Sequence, residues 1–329
     1  MPQPSSALST LRPDLAGALE EFDLVADRAG FIGYQVLPVM DVGHQAGVFG
    51  KIPIEQLLKD RSATIKRAPG SGYSRDTFKF ESDSYATEEY GHEEVVDDKE
   101  SRLYAEYIDA EIVATTRAFD AVLREAEKRV AALLYNATTW SGEALTTALS
   151  NEWDDFTNAT PIDDVAAACQ KVWDTTGVWP NALIINNKQF KKLRRCDQIT
   201  EAVASTGAGE SFLQRKITTA QLCQALDIDR ILVAGGAKNT ANEAATLAIA
   251  SVWSDEYAMV AKIATSNDIK EPCLGRVFHW GVDGSTIGGT VENYREDRVR
   301  GGIVRVRHEV DEKVLYTGLG HLLSNVITI

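Results

Sequence analysis

The feature that most constrains the fold is a stretch of fifty residues, 92–141, that contains neither Gly nor Pro. Its apolar residues, Ile112 and Val113 among them, recur at mostly three- and four-residue steps, and charged residues such as Glu127 fill much of the opposite face. This pattern predicts an amphipathic helix from about Asp98 to Tyr135, roughly 55 Å long at 1.5 Å per residue. A helix of that length outreaches the core of a small domain, so other parts of the chain must lie along it.

Composition bounds the class of protein. A chain of 329 residues with 44% hydrophobic content can form two domains, or one domain with large excursions. The sequence contains no run of 18 apolar residues, so no membrane-spanning helix is predicted. The N-terminal residues do not have the pattern of a secretory signal. The four Cys are scattered without a CxxC pair, which favours buried thiols in a reducing compartment over structural zinc.

Charge is unevenly distributed along the chain. The net charge of −14 argues against nucleic-acid binding by bulk attraction. Residues 51–80 hold seven basic side chains against three acidic ones, whereas residues 81–100 hold nine acidic side chains against one basic. These segments are either two solvated surfaces or complementary surfaces through which copies of the chain dock.

The start of the chain has the pattern of an arm and a projecting loop. Residues 1–13 look disordered, and residues 14–28 predict a short helix. Pro38 favours an edge or unpaired strand for the extended segment that follows, 31–42. A turn at 69–72, flanked by strand-like residues 63–67 and 73–85, predicts a long hairpin with a basic tip. A two-stranded hairpin is marginal alone, so we expect it to pack on a neighbour.

Residues 150–280 predict a compact α+β domain. Thr160 is the expected N-cap of a helix that stops before Gly177, and Asn186 or Asn187 is expected to cap another. Further helices and strands are predicted at 182–185, 188–195, 219–226, 230–233, 251–263 and 275–280. The C-terminal part predicts strands at 290–294, 303–310 and 314–317, with a bulge or bend at 301–302.

No catalytic constellation emerges from the motifs. His92-Glu93-Glu94 lacks the second His of a zinc-protease helix, and no dinucleotide fingerprint, Walker motif or nucleophile elbow is present. We expect His308 to lie among the valines of its strand. Because sites assembled from distant residues leave no local motif, a soluble α+β enzyme remains an alternative.

The order of these segments resembles that of the major capsid proteins of tailed bacteriophages, which share the HK97-like fold. Two local stretches add to the resemblance: Tyr85–Gly91, and Pro180–Asn187 with the Lys/Arg-rich helix after it. The resemblance implies an α+β fold with five parts. They are an N-terminal arm (1–46), an extended β-hairpin loop (47–97), a spine helix with connector (98–149), a central axial domain (150–285) and a β-rich peripheral return (286–329).

The implied function is structural. Pentamers and hexamers would close into an icosahedral shell around double-stranded DNA, without sequence-specific binding, enzymatic activity, cofactor, metal or membrane. The implied partners are other copies of the chain, a separate scaffolding protein and a portal. Assembly is expected in the host cytoplasm and the final location is the virion. An encapsulin-like nanocompartment is the alternative within the same fold.

The charge pattern suggests which residues join neighbouring subunits. The basic loop would lie across the acidic start of the spine of an adjacent copy. The predicted docking residues are Lys66, Arg67, Arg75 and Lys79 on the loop and Glu88, Glu89, Glu93, Glu94 and Asp97 near the spine. Some family members also form an isopeptide bond between a loop Lys and a distant Asn. The nominal candidates here are Lys66 or Lys79 with Asn293 and Glu292, and no motif fixes that assignment.

Overall fold

The computed structural model describes residues 10–11, 30–104, 110–205 and 217–328, with short gaps at 52, 55–57, 61–64, 68, 74, 76, 78–80, 243–244, 247 and 269–270. The described helices are α1 (Gly33–Val36), α2 (Asp98–Tyr104), α3 (Ala110–Leu134), α4 (Pro161–Thr176), α5 (Asn187–Leu193), α6 (Asp197–Ser205) and α7 (Thr219–Leu226). The strands are β1 (Thr10–Leu11), β2 (Val39–Val42), β3 (Ala46–Lys51), β4 (Glu81–Ala86), β5 (Glu88–Asp97), β6 (Thr146–Ala148), β7 (Ala182–Asn186), β8 (Arg230–Ala234), β9 (Ala237–Asn239), β10 (Ile249–Ser251), β11 (Ala258–Ala261), β12 (Gly275–Trp280), β13 (Thr290–Glu296), β14 (Gly301–Val314) and β15 (Gly320–Ser324). The fold is mixed α+β, as predicted.

The predicted long helix is present as α2 and α3, and residues 105–109 between them lie outside the described part. Helix α3 has 25 residues and is therefore roughly 37 Å long. Its inner face, which includes Phe119, Val130 and Leu134, is buried. The predicted faces were wrong at three positions. Ile112 and Val113, assigned to the apolar face, are 45% and 41% exposed, and Glu127, assigned to the polar face, is 3% exposed.

The first sheet is built around β14. Its strand order is β1–β13–β14–β12–β2, and β5 pairs with the other edge of β14. The sequence predicted two strands here with a bend at 301–302, but the structure has one continuous strand of 14 residues. Val304 and Val306 on this strand are buried against α3 in one core cluster. The sheet and the spine helix therefore form a single packed unit.

Strand β5 replaces the predicted acidic lead-in to the spine. It pairs antiparallel with β14 over its whole length, from Glu88 opposite Val310 to Asp97 opposite Gly301. The acidic residues of this segment are thus held in a sheet.

The N-terminal segment belongs partly to the core of its own chain. Strand β1 pairs with β13, while the helix predicted at 14–28 lies outside the described residues. Ile32, Val36 and Leu37 are buried with residues of α3 and the second sheet. Strand β2 pairs in parallel with β12 at the end of the first sheet, in agreement with the edge position that Pro38 favours. The extended structure predicted over 31–42 is wrong at Gly33–Val36, which forms helix α1.

The second sheet has the order β6–β15–β11–β7–β8 and forms the central domain. Helix α4 begins after Thr160 and ends at Gly177, which has a left-handed φ of 70°. Asn186 caps α5 through a reciprocal pair of hydrogen bonds with Gln189, as its sequence position predicted. The five domain boundaries remain a prediction. Strand β15, which falls within the predicted peripheral return, pairs with strands of the central sheet.

The predicted loop is a hairpin with different strands. Its antiparallel strands are β3 and β4, joined by residues 52–80. Of the residues predicted as its arms, 63–64 and 78–80 are not described, and Lys66 and Arg67 have no regular structure. The root is fixed to the first sheet because the ring of Tyr85 stacks on Phe278 at 4.8 Å. No helix among the described residues is long and apolar enough to cross a membrane.

Candidate assembly surface

The acidic residues of β5 meet two arginines of β14 on one face of the first sheet. Arg305 donates from Nε to Glu93 at 2.6 Å, and Arg307 lies 3.9 Å from Glu89. Arg307 also donates from Nε to Glu292 at 2.9 Å and from Nη1 to Asp283 at 2.6 Å. We call these residues the arginine ladder: Glu89, Glu93, Asp283, Glu292, Arg305 and Arg307.

The ladder is partly shielded from solvent. Burial alone would lower the pKa of Arg307, but its hydrogen bonds to Asp283 and Glu292 outweigh this effect, and the pKa lies above its usual range. Burial likewise opposes the ionisation of Asp283, and the hydrogen bond from Arg307 nevertheless holds the pKa of that carboxyl below its ordinary value. Removing one partner from such a network leaves a half-buried charge without compensation, which is costly.

The predicted acidic residues therefore divide between the two faces of β5. Glu89 and Glu93 belong to the arginine ladder. Glu94 lies on the α3 side, 3.5 Å from Arg117, and Glu88 accepts a hydrogen bond from the Tyr90 hydroxyl at 2.8 Å. Asp97 accepts one from the backbone of Lys99 at 2.7 Å. The structure brings the five acidic residues onto one strand but gives them different partners.

The basic residues of the loop lie apart from these carboxylates. Lys66, Arg67 and Arg75 are exposed, and Lys79 lies outside the described residues. Arg67 donates from Nε to the Ser71 carbonyl at 2.6 Å and lies 4.8 Å over the ring of Tyr73. Within the described ranges, no ion pair joins Lys66, Arg67 or Arg75 to β5.

Two of the nominal cross-linking residues, Asn293 and Glu292, lie on this sheet in β13, whereas Lys66 lies in the loop and Lys79 lies outside the described residues. Asn293 is paired with Thr10 of β1, and Glu292 is hydrogen-bonded to both arginines of the ladder. The Glu292 carboxylate is thus already engaged by two cations.

A groove of about 650 Å³ runs between β5 and α3. Its charged lining residues include Glu94, Arg117, Asp120 and Arg124. Arg124 and Asp120 form an ion pair of 2.7 Å one helical turn apart. In the part of the chain that the structure describes, no group of three His, Cys, Asp or Glu side chains is arranged to hold a metal ion.

Sequence reasoning missed one buried polar site. The carboxylate of Glu127 on α3 accepts hydrogen bonds from the backbone N–H groups of Ile32 at 2.9 Å and Gly33 at 2.7 Å, and from Trp253 Nε1 at 2.6 Å. Burial raises the pKa of Glu127, and these three donors act against that rise. No sequence signal distinguishes this Glu from its solvent-facing neighbours. We call the arrangement the Glu127 clamp.

Comparison with known proteins yields matches only at the level of structure. No family model matches the chain, and no curated protein matches it by sequence. A phage-related protein of Bordetella bronchiseptica RB50 is similar with a TM-score of 0.70 and 19% identity, over 97% of this chain and 98% of that one. The capsid protein of the cyanophage P-SCSP1u gives a TM-score of 0.57 and 13% identity, over 88% and 86%.

A virus-like particle from Pyrococcus furiosus gives a TM-score of 0.55 and 14% identity, over 94% of this chain and 98% of that one. These likenesses cover between 88% and 97% of this chain. The chain therefore has the HK97-like fold of phage capsid proteins.

Proposed function

We propose that the chain is the major structural subunit of a phage capsid, which assembles as pentamers and hexamers into an icosahedral shell around double-stranded DNA. The observation that carries this proposal is the connection 52–80 between β3 and β4. It exposes Leu58, Ile65 and Tyr73 by 63%, 67% and 74% of their surfaces. A two-stranded hairpin is marginal by itself, and exposed large apolar side chains mark surfaces that bind other proteins. Another subunit is the partner that a shell provides.

The charges of the loop would set how it meets that subunit. The basic residues Lys66, Arg67 and Arg75 would lie across β5 of an adjacent copy. Glu89 and Glu93 already face arginines of their own chain, whereas the exposed Glu88 is paired only with the uncharged Tyr90 hydroxyl, so Glu88 is the acidic residue we expect to meet the neighbour. Exposed ion pairs contribute little affinity, so burial of apolar loop residues supplies most of the binding and the charges set register and rate.

The proposal extends to the partners and the location that this fold has in phages. A separate scaffolding protein would direct closure, a portal would occupy one vertex, and the finished shell would be part of the virion after assembly in the host cytoplasm. The subunit itself would be structural and not catalytic. What supports these points is the fold shared with phage capsid proteins.

Electron microscopy of the purified protein over a range of concentrations tests the proposal. We expect capsomers, tubes or closed shells. A small discrete oligomer that never assembles further would contradict it. Nuclease-protected DNA inside particles isolated from infected or producing cells is expected, whereas particles filled with a protein cargo would favour the nanocompartment alternative.

A further inference from the structure

Helix α5 and the residues just after it carry four neighbouring cations that form no ion pair with any described residue, although Arg194 donates from Nη1 to the Ile217 carbonyl at 3.3 Å. We call Lys191, Lys192, Arg194 and Arg195 the α5 basic patch. Lys191 and Arg195 are exposed, and the other two are half-buried. Lys188 of the same helix is different, because it forms an ion pair of 2.5 Å with Asp255.

No described carboxylate lies within ion-pair distance of the α5 basic patch, although acidic residues are near. Three carboxylates of the neighbouring segment are engaged by uncharged donors, and the exposed Asp197 lies two residues after Arg195. Asp155 accepts from Asn158 Nδ2 at 2.8 Å, Asp163 from Gln198 Nε2 at 2.8 Å, and Asp164 from Trp153 Nε1 at 3.0 Å. This contrasts with the arginine ladder, where every cation faces a carboxylate of its own chain. The α5 basic patch therefore retains its charge for an external anion.

Aromatic rings hold three of these cations in place. The guanidinium of Arg195 lies 4.2 Å and the ammonium of Lys192 lies 5.6 Å from the centre of the Phe156 ring. Arg194 lies 4.5 Å over Phe190. Both rings pack against the core of the central domain. Since these cations already lie on rings that pack against the core, binding an anion costs less side-chain entropy.

We propose that the α5 basic patch binds the phosphate backbone of double-stranded DNA. Lys and Arg bind phosphate without reading base sequence, and a chain with a net charge of −14 otherwise repels DNA. The patch would thus be where the acidic subunit contacts nucleic acid. The proposal therefore places this surface on the inside of the shell. This inference rests on the proposed function, because it names where the enclosed DNA contacts the wall.

The test compares two double variants of the full chain. Lys191→Gln with Arg195→Gln removes two charges from the patch. Lys99→Gln with Lys171→Gln removes two exposed charges elsewhere and is the matched control, since both variants have the same net charge. Binding to a fluorescent 30-base-pair duplex is measured by anisotropy between 25 and 200 mM salt. Each phosphate contact contributes about 0.9 to the slope of log K against log salt.

We expect the patch variant to lose about 1.8 from that slope and at least tenfold in affinity at low salt, while the control changes affinity by less than about twofold. Circular dichroism checks that both variants are folded. If the double patch variant does not fold, Lys191→Gln alone replaces it in the binding measurement, with an expected slope loss of about 0.9. Equal losses in the two double variants, or a wild-type slope near zero, would overturn the proposal.

Assembly is scored in parallel by electron microscopy. Unchanged DNA affinity together with lost shell formation would assign the patch to contact with a second copy and would reject the DNA proposal. If the wild type forms shells and the patch variant binds DNA as tightly as the wild type, only this inference is rejected. Absence of shells from the wild type would contradict the proposed function and leave the DNA result to stand by itself.

Discussion

Glu127 joins three segments that are distant in sequence. Its carboxylate holds the start of α1 and the indole of Trp253 on the spine helix, and none of its three partners can accept a hydrogen bond in return. In the interior, a donor without an acceptor loses its hydration and gains nothing. The single carboxylate thus provides the hydrogen-bond acceptor for three buried donors.

Replacing Glu127 with Leu should therefore destabilise the protein by about 3 kcal/mol or more, because three buried donors lose their acceptor. Glu125→Leu is the matched control on the same helix. Glu125 is exposed and paired only with Lys128, so its loss should cost less than about 1 kcal/mol. Urea-induced unfolding measures both, and equal losses in the two variants would contradict the role assigned to the Glu127 clamp.

His308 makes the free energy of unfolding depend on pH. The residue is fully buried among the valines of β14, as predicted, and burial lowers its pKa to about 4. The unfolded chain binds a proton at this His near its ordinary pKa of about 6.5, whereas the native state does not until about pH 4. Unfolding therefore takes up a proton in this window, and stability falls as the pH falls.

We expect the part of the unfolding free energy due to His308 to drop by about 1.4 kcal/mol per pH unit between pH 6.5 and pH 4. His308→Leu removes this contribution and leaves other titrating groups in place. The unfolding free energy of the wild type minus that of the variant should thus decrease as the pH is lowered. A difference that is independent of pH would show that His308 is protonated equally in both states.

At the scale of elements, β14 determines the first sheet because it pairs with β13 and β12 on one edge and β5 on the other. The approach of β5 is close. A Cβ added at Gly301 would lie 2.4 Å from the carbonyl oxygen of Val96, a backbone atom that cannot turn aside. The glycine that the sequence suggested as a bend is thus required by strand packing.

Gly301→Ala should destabilise the chain by about 1–3 kcal/mol, because β5 and β14 must separate locally to admit the methyl group. Gly50→Ala in β3 is the control, since nothing lies within 4 Å of the added atom, and it should be neutral or slightly stabilising. Thermal unfolding measures both, and hydrogen exchange at the amides of β5 should become faster only in the first variant.

Local sequence signals predicted the individual helices and their ends well. They did not predict which distant strands and side chains pair. Proline, acidic residues and a C-terminal glycine placed α4 correctly, and Asn186 gave the start of α5. Strand β5 was missed because its five acidic residues look solvent-exposed until Arg305 and Arg307, more than 200 positions later, are placed beside two of them. Glu127 was misplaced for the same reason. Its partners at 32, 33 and 253 are not visible to helical periodicity.

For the whole molecule, the sequence predicted an arm, loop, spine, domain and β-rich return, and the structure confirms the HK97-like fold that this order resembles. The docking of the loop is a property of many copies and remains a prediction. It depends on surfaces that a single chain leaves open, among them the exposed Lys66 and Arg67.

Lys66→Glu combined with Arg67→Glu should leave the subunit folded but impair assembly at low salt, because the reversed loop would face the acidic strand of its neighbour with like charge. Lys171→Glu combined with Lys99→Glu changes the net charge equally and is the control. Light scattering and electron microscopy follow assembly, and added salt should partly rescue the loop variant. Normal assembly of that variant at both low and high salt would reject charge-guided docking.

The position of β15 has a consequence for synthesis. This strand lies between β6 and β11, so the central sheet cannot close until residues 320–324 have been made. Ribosomes add about 5–20 residues per second, and the 63 residues from Ala261 to Ser324 therefore take roughly 3–13 s. During that time β11 has an open edge. Each nascent chain thus needs residues 320–324 before its central sheet is complete, which delays the subunit contacts made by that sheet.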